Sequence, residues 1–172
     1  MSKFNPMLPL VLIYKSRRSR LAQTQDTPLT VRNTLKITGA FVRNHSLLLM
    51  LERNHNTFFT KDVYDTEIAL DVNADVLERI YRSNVTPDTS LPIEFFYVSD
   101  KEDKLKLLGL HLLTNFPKYT DLKIQPYNDN FELSGNTHPI KMDLSAINEW
   151  NQQMWDIGYE FDCKLDGWQV GH

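Results

Sequence analysis

The chain has 172 residues, 41% hydrophobic and 11% aromatic, with a single cysteine and a net charge of −3. That is enough apolar material for one ordinary domain, or a shorter domain with an extension, and it excludes wholesale disorder, an internal disulfide and a CxxC metal or redox motif. Charge is uneven: residues 1–70 carry ten Lys/Arg against five Asp/Glu, and residues 71–172 carry nine against seventeen, so the second part is a poor binder of phosphate backbones.

The apolar run "MLPLVLIY" (residues 7–14) is too short to span a bilayer. The basic cluster of Lys15, Arg17, Arg18 and Arg20 follows it, the reverse of a signal peptide. A cytoplasmic protein without membrane contact is expected. Residues 1–30 read as a basic, flexible segment. Its four clustered cations are candidate nucleic-acid contacts, but they lack the interleaved aromatics of a binding platform, and a solvated tail is the simpler reading. Residues 31–71 read as an N-terminal extension of mixed or β-rich character. Leu35, Ile37 and Phe41 are spaced like a strand face, and Ser46 opens either a short helix or a buried strand ending at Asn54.

From residue 72 the signals sharpen. "NADVLERIYRSN" predicts a helix capped by Asn73, with Val76, Leu77, Ile80 and Tyr81 on one face and Asn84 as a left-handed stop. "LPIEFFYVS" predicts a buried strand. "SDKE" has the capping-box spacing from Ser99 to Glu102 and opens a helix with Leu105, Leu108, Leu112 and Phe116 on one stripe, stopped by Pro117. "KYTDLKIQPY" and "FELSG" predict strands joined by a turn at "NDN", with "HPIKM" extending the second after a bulge at Gly135. Asp143 caps a further helix with Leu144, Ile147, Trp150, Met154 and Ile157 inward, ending at Gly158. A last strand follows, with Tyr159, Phe161, Cys163 and Leu165 on one face and Glu160, Asp162, Lys164 and Asp166 on the other. The order from Leu91 is β-α-β-β-α-β. It implies an α+β fold of the ferredoxin-like kind, two helices on one face of a four-stranded antiparallel sheet whose other face can stay wet.

Little in the chain points to catalysis. Five histidines form no i,i+4 pair and have no cysteine partner, and the six glycines are spread singly with no phosphate loop. Cys163 is expected as a buried structural thiol. Alternate carboxylates such as Glu160, Asp162 and Asp166 can act as an acid/base pair or hold a hard cation, but the solvated face of a sheet is the expected role. No catalytic residue, metal site or cofactor is therefore expected. Trp155 falls off the inner stripe of its helix and Trp168 lies beyond the alternating run. With Asp166 and Gly167 they are the candidate partner-binding residues, since exposed Trp anchors interfaces. The structural alternative is a Trp folding back to close the strand end.

The ending "FDCKLDGWQV", preceded by "LSAINEWNQQMWDIG", resembles the end of the RraB family of ribonuclease E regulators. "ADVLERIYRSNVTPDTSLPIEFFYVSDKEDKLKLLGLHLL" is similar to that family's opening helix, proline-containing turn, first strand and second helix, so the likeness spans about residues 72–170. Asp166, Gly167 and Trp168 carry over residue by residue. Leu165 stands where the family usually has tyrosine, and residues 1–70 have no recognised counterpart. The resemblance implies a ferredoxin-like domain without catalysis or cofactor. It also implies a cytoplasmic bacterial protein that inhibits RNA cleavage by binding the non-catalytic scaffold region of a ribonuclease E-type enzyme. An immunity or antitoxin-like protein, or another acidic protein-binding module, is the alternative.

Overall fold

A computed structural model describes residues 56–170, together with the backbone strand Leu12–Lys15. The elements in chain order are β1 (Leu12–Lys15), α1 (Lys61–Thr66), α2 (Val72–Tyr81), β2 (Ser90–Leu91), β3 (Glu94–Ser99), α3 (Glu102–Asn115), β4 (Thr120–Tyr127), β5 (Asn130–Asn136), β6 (Ile140–Lys141), α4 (Leu144–Glu160) and β7 (Lys164–Val170). The α+β class holds. The main sheet has five strands in the order β1-β7-β3-β5-β4, every neighbouring pair antiparallel, and β2 and β6 form a separate two-stranded ribbon. The sheet is therefore one strand larger than the four expected, because Leu12–Lys15 of the N-terminal segment pairs along β7.

Cross-strand partners share a face, and this identifies the core side of the sheet. Phe95 lies opposite both Gly135 and Trp168, while Tyr97 lies opposite Leu133 and Leu165. All of these residues are buried. Gly109 of α3 sits against Leu133 and Leu122, and Gly158 of α4 sits against the Tyr97 ring, so both helices cover this one face. Gly135 is required by close approach: a Cβ there would stand 2.8 Å from the Phe95 ring and 3.0 Å from Leu122. The opposite face is not simply wet. Phe96, Val98 and Glu132 lie on it and are each no more than 8% exposed.

Several local expectations hold. α3 buries Leu105, Leu108 and Leu112 and ends at Phe116, before Pro117. Asn128 takes a left-handed φ of 51° in the β4–β5 turn, and Asn84 one of 64° after α2. The Asp143 carboxylate caps α4 by accepting the Ala146 N–H at 2.9 Å.

Others are corrected. α2 begins one residue before Asn73, which is buried inside the helix with its side chain turned to other partners. Ser99 caps nothing: its hydroxyl donates to the Asp162 carbonyl, and Lys101 holds the N-cap position of α3. "HPIKM" does not prolong β5; Ile140–Lys141 pairs with β2. Leu144 is 43% exposed rather than inward. The largest correction concerns residues 159–163. The alternation there reads as a strand, but α4 continues through Glu160, and Gly158 is an interior position rather than the helix end. The backbone cap is made further along the chain. The Gly158 carbonyl accepts the N–H groups of both Phe161 and Cys163, and Asp162 makes the left-handed turn at φ 55° that a C-terminal glycine was expected to make. Residues 1–11 and 16–55, including the strand and helix expected at 35–54, lie outside the described residues.

Candidate functional site

The Asp-Gly-Trp triplet sits in the middle of β7. Along β3 the register runs Phe96↔Gly167 and then Tyr97↔Leu165, which leaves Asp166 as the extra residue of a β-bulge. One inserted residue shifts the side-chain phase, so Leu165 and Trp168, three apart, both face the core. Trp168, which lies out of phase with the alternation in the sequence, is brought in by the bulge. Trp168 is fully buried, its ring set edge-on to Trp150 with centroids 6.2 Å apart. The indole Nε1 donates to Asn73 Oδ1 at 3.1 Å, and the Asn73 amide donates in turn to Asn148 Oδ1 and Asn151 Oδ1 on α4. Trp168 thus clasps β7 to α2 and α4. Gly167 has no positive φ; it lies opposite Phe96 and is buried.

Trp155, expected off the inner stripe of α4, is covered rather than presented. It is 4% exposed, packed edge-on against Phe59 at 4.6 Å, and its Nε1 donates to the Tyr64 carbonyl at 3.1 Å. α1 and the turn before it form the cover: Phe59, Tyr64, Trp155 and Tyr159 make one aromatic cluster, with Tyr64 and Tyr159 rings 4.5 Å apart. Tyr64 donates to Asp156 at 2.6 Å, and that bond to a carboxylate, with burial added, pushes its hydroxyl up to about 12. As folded, neither tryptophan offers its ring to a partner. Among the candidate nucleic-acid contacts, Lys15 lies at the end of β1 opposite Gly167, while Arg17, Arg18 and Arg20 fall outside the described residues.

Glu160, Asp162 and Asp166 do not share a face. Glu160 is on α4, Asp166 is the buried bulge residue, and Asp162 is a buried hub. The Asp162 carboxylate accepts the successive backbone N–H groups of Thr57, Phe58 and Phe59 at 2.6–3.0 Å and the Lys104 ammonium at 2.6 Å. Burial alone would raise its pKa. The Lys104 ammonium and the amides of Phe59 and Thr57 outweigh burial and hold it below the ordinary carboxylate range. Cys163 is a buried free thiol pushed well above its ordinary pKa by burial, the opposite of an activated nucleophile. His111 lies against the Phe161 ring. Among the described residues no group of three His, Cys, Asp or Glu stands ready to hold a metal ion, and no helix is long and apolar enough to cross a membrane.

The open surface lies on the outer side of α4. A groove of about 570 Å³ is lined by Leu70, Asn148, Gln152, Asp156, Ile157 and Glu160, together with Glu149 and Gln153. A second, of about 460 Å³, is lined by Phe116, His138 and Ile140 among others, and again by Glu149 and Gln153. The outer ridge of α4 is therefore flanked by two grooves that meet at Glu149 and Gln153. Sequence reasoning that ranked residues by aromatic content passed over Glu149 and Asp156 and weighed Glu160 only as a strand carboxylate. The signal was there in a 17-residue helix with no cation.

Residues 70–170 match the model of a protein family described as regulator of ribonuclease activity B (RraB). No curated protein matches the chain.

Proposed function

The chain belongs to the regulator of ribonuclease activity B family, and from that premise we propose that it is a non-catalytic regulator that modulates RNA degradation by protein–protein contact. The observation that carries this reading is the extent of the family match, residues 70–170, which takes in both grooves, the whole of the α4 ridge and β7 with its Asp-Gly-Trp bulge. Within this reading β3-α3-β4-β5-α4-β7 is a ferredoxin-like unit to which β1 is an added edge strand. The partner is the non-catalytic scaffold region of a ribonuclease E-type enzyme, met in the cytoplasm of a bacterium. Exposed carboxylates on α4 and Cys163's buried thiol support binding rather than covalent chemistry.

The test is RNA cleavage by a purified ribonuclease E-type enzyme with and without the full chain. The expected result is that the chain slows cleavage by the enzyme that retains its scaffold region and leaves cleavage by the catalytic part alone unchanged. Cleavage unchanged by the chain with either form of the enzyme would remove the ribonuclease reading. It would leave the acidic module of the immunity or antitoxin kind, which the acidic balance of residues 71–172 also favours.

A further inference from the structure

The longest helix among the described residues, α4, carries no Lys, Arg or His, and its outward positions include the exposed carboxylates Glu149, Asp156 and Glu160. Glu160 is its last residue, where the helix macrodipole is negative and cations, not anions, are favoured. Some acids on other elements do meet cations, among them Glu67 with Lys164, Asp162 with Lys104, Asp143 with Lys141 and Asp103 with Lys106. No described ion pair involves Glu149, Asp156 or Glu160; Glu149 accepts from the Ser145 hydroxyl, and Asp156 from the Tyr64 hydroxyl and the Gln152 amide. Glu149, Asp156 and Glu160 are seven and four residues apart, so they fall on one face of the helix and make a continuous stripe of exposed carboxylate.

The surface also has a shape. Leu70 and Ile157, both half-buried, give the larger groove an apolar floor, and the three carboxylates edge it. From Glu149 to Glu160 the rise is about 16 Å at 1.5 Å per residue, about three turns of a facing helix. Carboxylates along such a groove repel nucleic-acid phosphates and attract lysine and arginine. We infer that the outer face of α4 docks a cationic amphipathic helical segment of a partner protein. Basic side chains of that segment meet Glu149, Asp156 and Glu160, and an apolar side chain enters over Leu70 and Ile157. The inference deepens the regulatory reading and rests on it for the identity of the partner, but not for the chemistry of the surface.

The experiment uses the full chain and a labelled synthetic helix with arginines at positions i, i+7 and i+11 and leucines between them. Fluorescence anisotropy compares the natural chain with Glu149→Arg/Glu160→Arg and with a control of equal charge change, Asp103→Arg/Asp129→Arg, remote from the groove. Affinity should fall about tenfold or more for the α4 variant and little for the control. A peptide with glutamates in place of the arginines should bind the α4 variant better than the natural chain. Glu149→Gln/Glu160→Gln, which keeps side-chain size, should show a smaller loss in the same direction and covers any folding defect of the arginine variant. Equal loss in the α4 variant and the control, or no loss in either, overturns the inference. So does an α4 variant that slows scaffold-dependent RNA cleavage as well as the natural chain, and in that case the regulatory function stands. If binding depends on Glu149 and Glu160 but neither protein affects cleavage, the docking surface stands and the ribonuclease reading falls.

Discussion

Trp168→Ala separates a structural clasp from an exposed anchor. The side chain is fully buried, so its truncation removes a large apolar surface and leaves a cavity between β7, α2 and α4. Trp or Phe to Ala at a closed core site costs about 3–5 kcal/mol. Loss of the indole donor leaves Asn73 Oδ1 without that partner inside the protein, about 1–3 kcal/mol more. The sum approaches the whole stability of a small domain, about 5–15 kcal/mol, so Trp168→Ala should be largely unfolded or nearly so. Trp168→Phe keeps most of the burial and isolates the hydrogen bond. It should cost about 2 kcal/mol, a fall of about 8 °C in melting temperature for a domain of this size. Urea unfolding of the full chain followed by circular dichroism gives both values. A double-mutant cycle with Asn73→Ala should return a coupling of about 1 kcal/mol. If Trp168→Ala melts within about 1 kcal/mol of the natural chain and partner binding is lost instead, the clasp is wrong and the ring is an interface residue.

The same measurements check three further expectations. Asp162→Asn should destabilise by about 2 kcal/mol near neutral pH, because an amide cannot satisfy three backbone donors and Lys104 as a carboxylate does. Since the folded pKa is depressed, the carboxylate's contribution is present above its ordinary range and is lost as pH falls through the folded value. The gap between the natural chain and Asp162→Asn should therefore narrow on acidification; a gap that widens or stays constant contradicts the linkage. Gly158→Ala should destabilise by about 1–3 kcal/mol despite the better helix propensity of alanine. Its Cβ would press on the Cys163 carbonyl and stand 2.8 Å from the Tyr97 ring; a stabilised variant would show that the close approach is relieved at no cost. Cys163 should react with a thiol reagent only at the rate of unfolding, and rapid labelling of the folded chain would contradict its burial.

The parts of the fold legible in the sequence are those set by neighbours in the chain. The stripe of Leu105, Leu108 and Leu112, the stop at Pro117, the cap at Asp143 and the left-handed Asn128 each follow from spacing within a few residues. Illegible features depend on contacts made far away. Tyr159 alternates with its neighbours as a strand residue would, but it stays helical because its ring packs on Phe59 and Tyr64, about 100 positions earlier. Asp162 looks like a solvated strand residue, and only the return of residues 57–59 makes it a hub. Trp168 leaves the alternating phase in sequence, and nothing local says that a bulge at Asp166 restores it. For the same reason the tryptophans drew the reading of the site, while Glu149 and Asp156 passed as ordinary helix surface and Glu160 as a strand carboxylate.

These long-range contacts also bear on where the folded unit begins. The family match starts at residue 70, yet the physics of the domain starts earlier. Phe59 is fully buried against Trp155 and Tyr159, and the amides of residues 57–59 are the donors that balance a buried Asp162 beside Lys104. Asn56 adds a bond from its amide to the Tyr159 carbonyl at 2.7 Å, and Glu67 pairs with Lys164 at the start of β7. α1 itself is six residues long with no buried side chain of its own. So short a helix does not stand alone in water; it is held by Phe59 before it and by Trp155 and Tyr159 beneath it. In return it covers the one aromatic patch of α4 that the sequence suggested for a partner. The cover directs attention away from that patch to the acidic ridge beside it. Asp156 belongs to both surfaces, accepting the Tyr64 hydroxyl on one side and edging the groove over Ile157 on the other. A cation arriving at that groove would meet a carboxylate already held in place by α1. Residues 56–69 thus orient part of the proposed docking surface as well as closing the core.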